Sequence, residues 1–414
     1  MSISAGDTAF IFMCAAFVFF MTPGLAFFYG GMVRRKNILN TLMSSIFMCG
    51  LASVLWVLIG YSLSFGEGNS IIGGLGNFCL MGVGGEANAT YAGSIPQLLF
   101  AIFQMMFAII TPALITGSLA ERMKFSSLCI FVALWSIFVY YPMAHMVWGD
   151  GGFIRDLGAL DFAGGNVVHI SSGISGLVAC ILLGRRQGYG MLSSKPHNIP
   201  LVVLGASMLW FGWFGFNSGS ALAADSVAVH AFITTNTSGA AAMLSWMLIE
   251  KIKHGKVSML GGITGGIVGL VAITPGAGFV PIWSSIIIGI IVSPICFFSM
   301  GKLKAKFGYD DALDAFGCHG VGGIWGGIAT GIFANKSINP AVEFNGLIFG
   351  ETHLFMMQIL SIVITIAFAG IITFIIIKVM KCFMDIRVEK LEEAKGLDIT
   401  EHGESAYPAF NGLD

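Results

Sequence analysis

Two stretches, ALDFAGGNVVHISSG at residues 159–173 and DDALDAFGCHGVGGIWGG at residues 310–327, decide how this chain folds. In each, an aspartate stands eight residues before a histidine, Asp161 before His169 and Asp311 before His319, and a small-residue run follows. The copies lie 150 residues apart. Self-similarity at a fixed offset is the mark of a repeated unit.

Both copies sit inside long apolar runs, and such runs recur along the whole chain. The composition agrees: 56% of the 414 residues are hydrophobic and 10% charged, with a mean hydropathy of +0.85. A helix needs about 20 apolar residues to cross about 30 Å of hydrocarbon. Spans are expected at 7–33, 38–63, 97–120, 125–148, 162–184, 198–219, 229–250, 257–275, 282–301, 311–334 and 354–381. The expected fold is an all-α integral membrane protein of eleven transmembrane helices. A membrane domain fills 1–381, and a charged, polar tail from 382 to 414 follows.

Loop charge gives an independent orientation, because Lys and Arg gather on the cytoplasmic side. With the N-terminus outside, 19 of the 21 basic residues fall on or at the inner face, from Arg34, Arg35 and Lys36 to Lys390 and Lys395. Only Arg155 and Lys336 fall outside. One span too many or too few in mid-chain would scramble that split, so the expected topology is N-out and C-in. The first Asp-x7-His copy then lies in the fifth span and the second in the tenth. Five helices per unit is an odd number, which inverts the second copy. Repeats at about 7–184 and 198–334, plus an eleventh helix at about 354–381, give the inverted arrangement many transporters use.

Eight helical residues advance about 12 Å. Entering from opposite faces, His169 and His319 are expected to meet near the midplane. A single buried histidine reads equally well as a packing residue. Two of them, symmetry-related and at equal depth where ionisable groups are costly, point to a polar pathway. Asp161 and Asp311 read equally well as helix N-caps.

Other classes receive no support. The net charge of −1 gives no basic surface for nucleic acid. Eight scattered cysteines without a CxxC spacing suggest neither disulfides nor a metal centre. No basic n-region precedes the first span, so no cleavable leader is expected. Glycines four apart, as in Gly261, Gly265 and Gly269, allow close helix packing.

The block around His169 resembles the signature of the ammonium transporter (Amt/Mep/Rh) family. Further blocks resemble the family in order: PGLAFFYGGMVRRKN (23–37), FQMMFAIITPALITGSLAERMKF (103–125), HMVWGDGG (145–152), WFGWFGFNSGSA (210–221), the His319 block and GLDITEHGESAYPAF (396–410). The resemblance implies a bacterial Amt-type transporter of ammonium and ammonia, with methylammonium as an analogue, forming a homotrimer with one pore per subunit. It implies a multi-pass protein of the bacterial plasma membrane, without enzymatic activity, cofactor or metal. By position it makes Phe107, Trp148 and Ser220 a recruitment site for ammonium, and Phe107 with Phe216 a gate of stacked rings. His169 and His319 become the pair lining the pore, with Asp161 supporting the recruitment site. Phe103 and Trp213 become pore-wall or packing positions. It further implies that the tail packs under neighbouring subunits and that a PII-type signalling protein docks at the cytoplasmic face.

The residue types suit that chemistry. Aromatic faces attract a monovalent cation by about 0.5–2 kcal/mol per ring, and a serine hydroxyl adds an acceptor. Singly, each also reads as interfacial belt, core or helix cap. Carrying the charge onward through an apolar pore costs several kcal/mol, whereas ammonium can release a proton and cross as ammonia. Two imidazoles give ammonia a polar handle, and a proton passed along them would make the net transported species ammonium. The competing readings are a Rhesus-type electroneutral gas channel, an ammonium sensor with little flux, and an intramembrane metalloenzyme using His169, Cys318 and His319. Adjacent Cys318 and His319 are poorly spaced for the last.

Overall fold

The computed structural model of the chain describes residues 2–190 and 195–407. The last three residues of the 396–410 block, and the end of the tail, lie outside them. The chain is mostly helical. Among the described residues, eight helices are long and apolar enough to cross a membrane: α1 (Ala5–Met32), α2 (Arg35–Phe65), α3 (Gln97–Leu119), α4 (Phe125–Asp156), α5 (Gly165–Leu183), α6 (Ile199–Gly219), α9 (Ile282–Phe307) and α11 (His353–Phe383). Between them stand α7 (Ser226–His254), the 15-residue apolar α8 (Met259–Ile273) and α10 (316–333). Helix α7 falls short in hydropathy because it carries Thr235, Ser238 and a charged end. Its inward polar groups find partners instead: Thr235 Oγ1 accepts from Asn217 Nδ2 at 2.8 Å, and Ser238 Oγ donates to Gly269 O at 2.8 Å. Large apolar side chains such as Val54, Leu244 and Val363 are exposed on the outward faces, which a lipid-facing surface tolerates and a water-facing one does not.

The helices carrying the repeated motif begin later than the sequence suggests. α5 starts at Gly165 rather than 162, and α10 at Phe316 rather than 311. The reason is the aspartates. The Asp161 carboxylate accepts from the backbone N–H groups of Gly164 (2.8 Å), Gly165 (2.6 Å), Asn166 (2.7 Å) and Val167 (3.3 Å). Asp311 accepts from Ala315 (3.2 Å), Phe316 (2.8 Å) and the Ser118 hydroxyl (2.8 Å). Each satisfies first-turn donors that have no intrahelical partner. Gly164, at φ +119°, supplies a left-handed residue at the entry to α5. Both helices then open with π-helical turns, Gly165–Ile170 and Phe316–Gly320, and each turn contains its histidine. The path from Asp to His is thus a capped loop plus a wide turn, and not eight residues of α-helix.

Small residues let these helices touch. A side chain at Gly173 in α5 would overlap the backbone of Gly320 in α10, and one at Gly323 would press on His169 Cβ at 3.0 Å. Gly173→Ala is therefore expected to force the histidine-bearing helices apart, with about 1–3 kcal/mol of overpacking. Thermal unfolding in detergent should show a lowered midpoint, and an unchanged midpoint would contradict the contact.

At the basic end of the bundle, sequence-distant loops converge on buried ions. Glu121 accepts from Arg34 Nε (2.9 Å), Asn37 Nδ2 (2.9 Å) and Arg186 Nη1 (2.9 Å). Arg186 also forks onto Asp310, at 2.9 and 2.8 Å. The tail closes over this network. Its short helices α12 (Lys390–Lys395) and α13 (Leu397–His402) dock on the chain's own loops: Glu393 accepts from Gln187 N (2.6 Å) and Arg387 Nη2 (2.8 Å), Asp398 from Asn40 N (2.9 Å), and Glu401 from Phe125 N (2.8 Å).

Candidate functional site

A row of rings runs through the bundle from the end opposite the basic network. It begins in a cavity of about 340 Å³ lined by Phe107 of α3, Trp148 of α4 and Ser220 just past α6, with Tyr91, Gln104 and Arg155 beside them. The Trp148 indole donates to the backbone carbonyl of Asp161 at 2.9 Å, which holds its face over the cavity. Ser220 Oγ donates to Phe216 O at 2.9 Å. With its proton engaged, the hydroxyl presents lone pairs, the form that suits a cationic donor.

Phe107 is the floor of this cavity. Its ring meets Trp148 edge-on, with centroids 6.0 Å apart, and lies 4.4 Å from Phe216. Both phenylalanines are 1% exposed. Beneath them Phe216 lies 6.2 Å from the His169 ring, and His169 stacks on Trp213 at 5.6 Å and on His319 at 5.3 Å. Trp213 is fixed by its indole N–H, which donates to Thr274 Oγ1 at 2.9 Å.

The two histidines face each other through their Nδ1 atoms at 3.3 Å. One Nδ1 must donate while the other accepts, so the pair shares one proton and its two ends differ in tautomer. His169 Nε2 is buried with no protein partner. The passage around the pair is narrow and apolar: a void of about 10 Å³, lined by Leu25, Leu114, Val168 and Phe216 together with both imidazoles. That is about the room one water-sized molecule requires. Beyond His319 a second cavity of about 100 Å³ opens, lined by Tyr29, Asp314 and Cys318. Among the described residues, no three His, Cys, Asp or Glu side chains converge as metal ligands would.

A model of the family described as Ammonium Transporter Family matches residues 9–407. The chain belongs to the ammonium transporter family. It is 55% identical to the "Ammonium transporter" of Bacillus subtilis (strain 168) over 402 residues, 97% of this chain and 98% of that one. With "Ammonium transporter Amt1" of Archaeoglobus fulgidus it shares 47% identity over 406 residues, 98% of this chain and all of that one. The crystal structure of Saccharomyces cerevisiae Mep2 superposes with a TM-score of 0.86 at 36% identity, covering 92% of this chain and 86% of that chain. A structure described as "Sensor Amt Protein" gives 0.87 at 27% identity, covering 96% and 98%.

In this ammonium transporter family member Phe107, Trp148 and Ser220 share one cavity, and Phe216, His169 and His319 continue from it in contact. Asp161 does not line that cavity. Its carboxylate is taken up by four backbone N–H groups at the start of α5, and its backbone carbonyl accepts from the Trp148 indole. Thr274, Gln104 and Arg155 escape sequence reasoning. Nothing in the periodicity separates Thr274, at the end of α8, from a helix-end cap.

Proposed function

We propose that this chain moves ammonium across the membrane by separating it into ammonia and a proton. The cation is held against Trp148 and Phe107, with Ser220 accepting a hydrogen bond. It gives up its proton there, and ammonia passes the Phe107 and Phe216 rings into the apolar void. The histidine pair hydrogen-bonds the ammonia and relays the proton, so the net movement is ammonium uptake. The observation that carries this reading is the unbroken contact from an aromatic cation site, through packed rings, to two buried imidazoles sharing a hydrogen bond in an otherwise apolar void. Selectivity over potassium then follows from chemistry, since potassium has no proton to release.

Helices α1 to α11 are all spans, N-out and C-in, related as an inverted repeat of five with α11 added. The cavity at Trp148 is the outer one, and the protein sits as a homotrimer in a bacterial plasma membrane. The docked tail at the cytoplasmic end offers a platform for a PII-type protein. An electroneutral gas channel would use the pair only to hydrogen-bond ammonia and would carry no current. A sensor would need a signal output, and the tail is packed on its own loops.

Uptake of labelled methylammonium into proteoliposomes tests the substrate: ammonium should compete and potassium should not. Equal competition by potassium would overturn the reading. Trp148→Leu removes one cation–π face worth about 0.5–2 kcal/mol, and is expected to raise the half-saturating ammonium concentration about 2- to 30-fold. An unchanged value would remove Trp148 from recruitment.

A further inference from the structure

The cavity that gathers Phe107, Trp148 and Ser220 is walled by aromatic, aliphatic and neutral polar side chains, with one exception. Among the described residues that line it, only Arg155 carries a charge, and that charge is positive. A guanidinium stays charged at every ordinary pH. The transport steps give it no part, and a cation site is an unfavourable neighbour for it. Arg155 is nevertheless tied there. It stands in the last turn of α4, and its Nη1 reaches back seven residues to donate to the Trp148 carbonyl at 3.2 Å.

Little nearby answers the charge. Its one ion-pair partner among the described residues is Asp150, with Nη1 and Oδ1 3.8 Å apart and the side chains 42% and 71% exposed, and exposed pairs hold weakly. Asp150 is not part of the cavity wall. The Asp161 carboxylate is engaged by four backbone N–H groups. A like charge disfavours the charged form of a titrating neighbour. For ammonium the charged form is the cation that the Trp148 and Phe107 rings attract, and the neutral form is the ammonia that the apolar void admits. Arg155 opposes the first and leaves the second untouched.

Building on recruitment at Trp148, we propose that Arg155 sets the affinity of the ammonium cavity: its positive charge loosens the hold on the cation and favours loss of the proton. The N–H electron pair stays on nitrogen, and the proton follows the histidine relay. Because only the bound cation is destabilised, half-saturating concentration and maximal rate are raised together while their quotient is unchanged. A residue that merely held Trp148 in place would act the other way, since its loss would weaken binding.

The test measures initial rates of ammonium uptake into proteoliposomes of full-length wild type, Arg155→Gln, Arg155→Lys and Asp150→Asn. Sodium chloride, matched across the membrane, is set at about 0.01 M and about 1 M, which shortens the screening length from about 30 Å to about 3 Å. At low salt Arg155→Gln should lower the half-saturating concentration about 2- to 5-fold and the maximal rate with it, their quotient staying within about twofold. Arg155→Lys should keep wild-type values, and at high salt the Gln variant and wild type should converge. Asp150→Asn strips the partial counter-charge at a well-exposed position and should raise the half-saturating concentration about twofold, a shift that reads the same charge even if the Arg155 variants fold poorly. An unchanged or raised value in Arg155→Gln overturns the proposal, as does a Lys variant that matches Gln, a difference that survives high salt, or an unchanged or lowered value in Asp150→Asn. Wild type without saturable ammonium uptake would overturn the recruitment reading and this proposal together, whereas saturable uptake indifferent to Arg155 overturns this proposal alone.

Discussion

Replacing His169 with alanine is expected to abolish the ammonium-dependent current while ammonia still crosses. Within the void the imidazoles are the groups that both accept and donate a proton, and the 3.3 Å contact between the two Nδ1 atoms is the step that alanine removes. The void holds no substitute. Apart from the imidazoles its wall is aliphatic and aromatic, and the Trp213 indole N–H is engaged by Thr274. An unaccompanied charge there costs several kcal/mol, and each 1.36 kcal/mol is about tenfold in rate. The current should therefore fall by about a hundredfold or more. Ammonia has no charge to desolvate, so ammonium pulses should still alkalinise the vesicle lumen. A matching thermal midpoint would separate this result from misfolding. A His169→Ala protein that carries wild-type current would remove the pair from the proton path.

The second large effect concerns stability. Glu121 is 1% exposed, sits at φ +71°, and joins Arg34 to Arg186. Removing one partner of a buried ion pair leaves the other uncompensated, at a cost of about 3–5 kcal/mol. Glu121→Ala should lower the unfolding midpoint more than any surface substitution, and a change within error would contradict the network. The pH dependence has a definite sign. Burial alone would raise the Glu121 carboxyl above its ordinary 4.5, but Arg186 and Arg34 outweigh it and hold it below. Burial likewise opposes, and the Arg186 fork with Arg122 overcomes, to hold Asp310 below its ordinary 3.8. Carboxyls depressed in the folded state stabilise it fully above their unfolded values. That stabilisation drains away as the pH falls below those values and through the depressed ones. Wild type should lose midpoint steeply below about pH 4, and Glu121→Ala less so.

What the sequence made legible was local or periodic. Asp161 with His169, and Asp311 with His319, are visible because eight residues separate each pair and the motif repeats. The apolar runs report length and composition, which is all that membrane crossing demands. The aromatic row was a different matter. Phe107, one phenylalanine among 35, owes its place to the family resemblance, because a ring that gates and a ring that packs have the same periodicity. The basic residues carried two meanings and the sequence yielded one. Read only as markers of orientation, Arg34, Arg186, Lys304 and Arg387 are also partners of Glu121, Asp310, Asp314 and Glu393. Arg186 and Asp310 lie 124 residues apart, and no window along a chain reports such a pairing. The π-helical turns at His169 and His319 were hidden for a related reason. They follow from where the aspartates satisfy backbone donors, which is a property of the folded loop.

The central claim is that ammonium is split, and that its proton travels with the ammonia along the histidine pair. Its most direct test records membrane current and luminal pH together in proteoliposomes of the wild-type protein after an ammonium pulse. A saturable inward positive current, carrying about one charge per ammonium taken up, is the predicted result. Luminal alkalinisation with no protein-dependent current would contradict it.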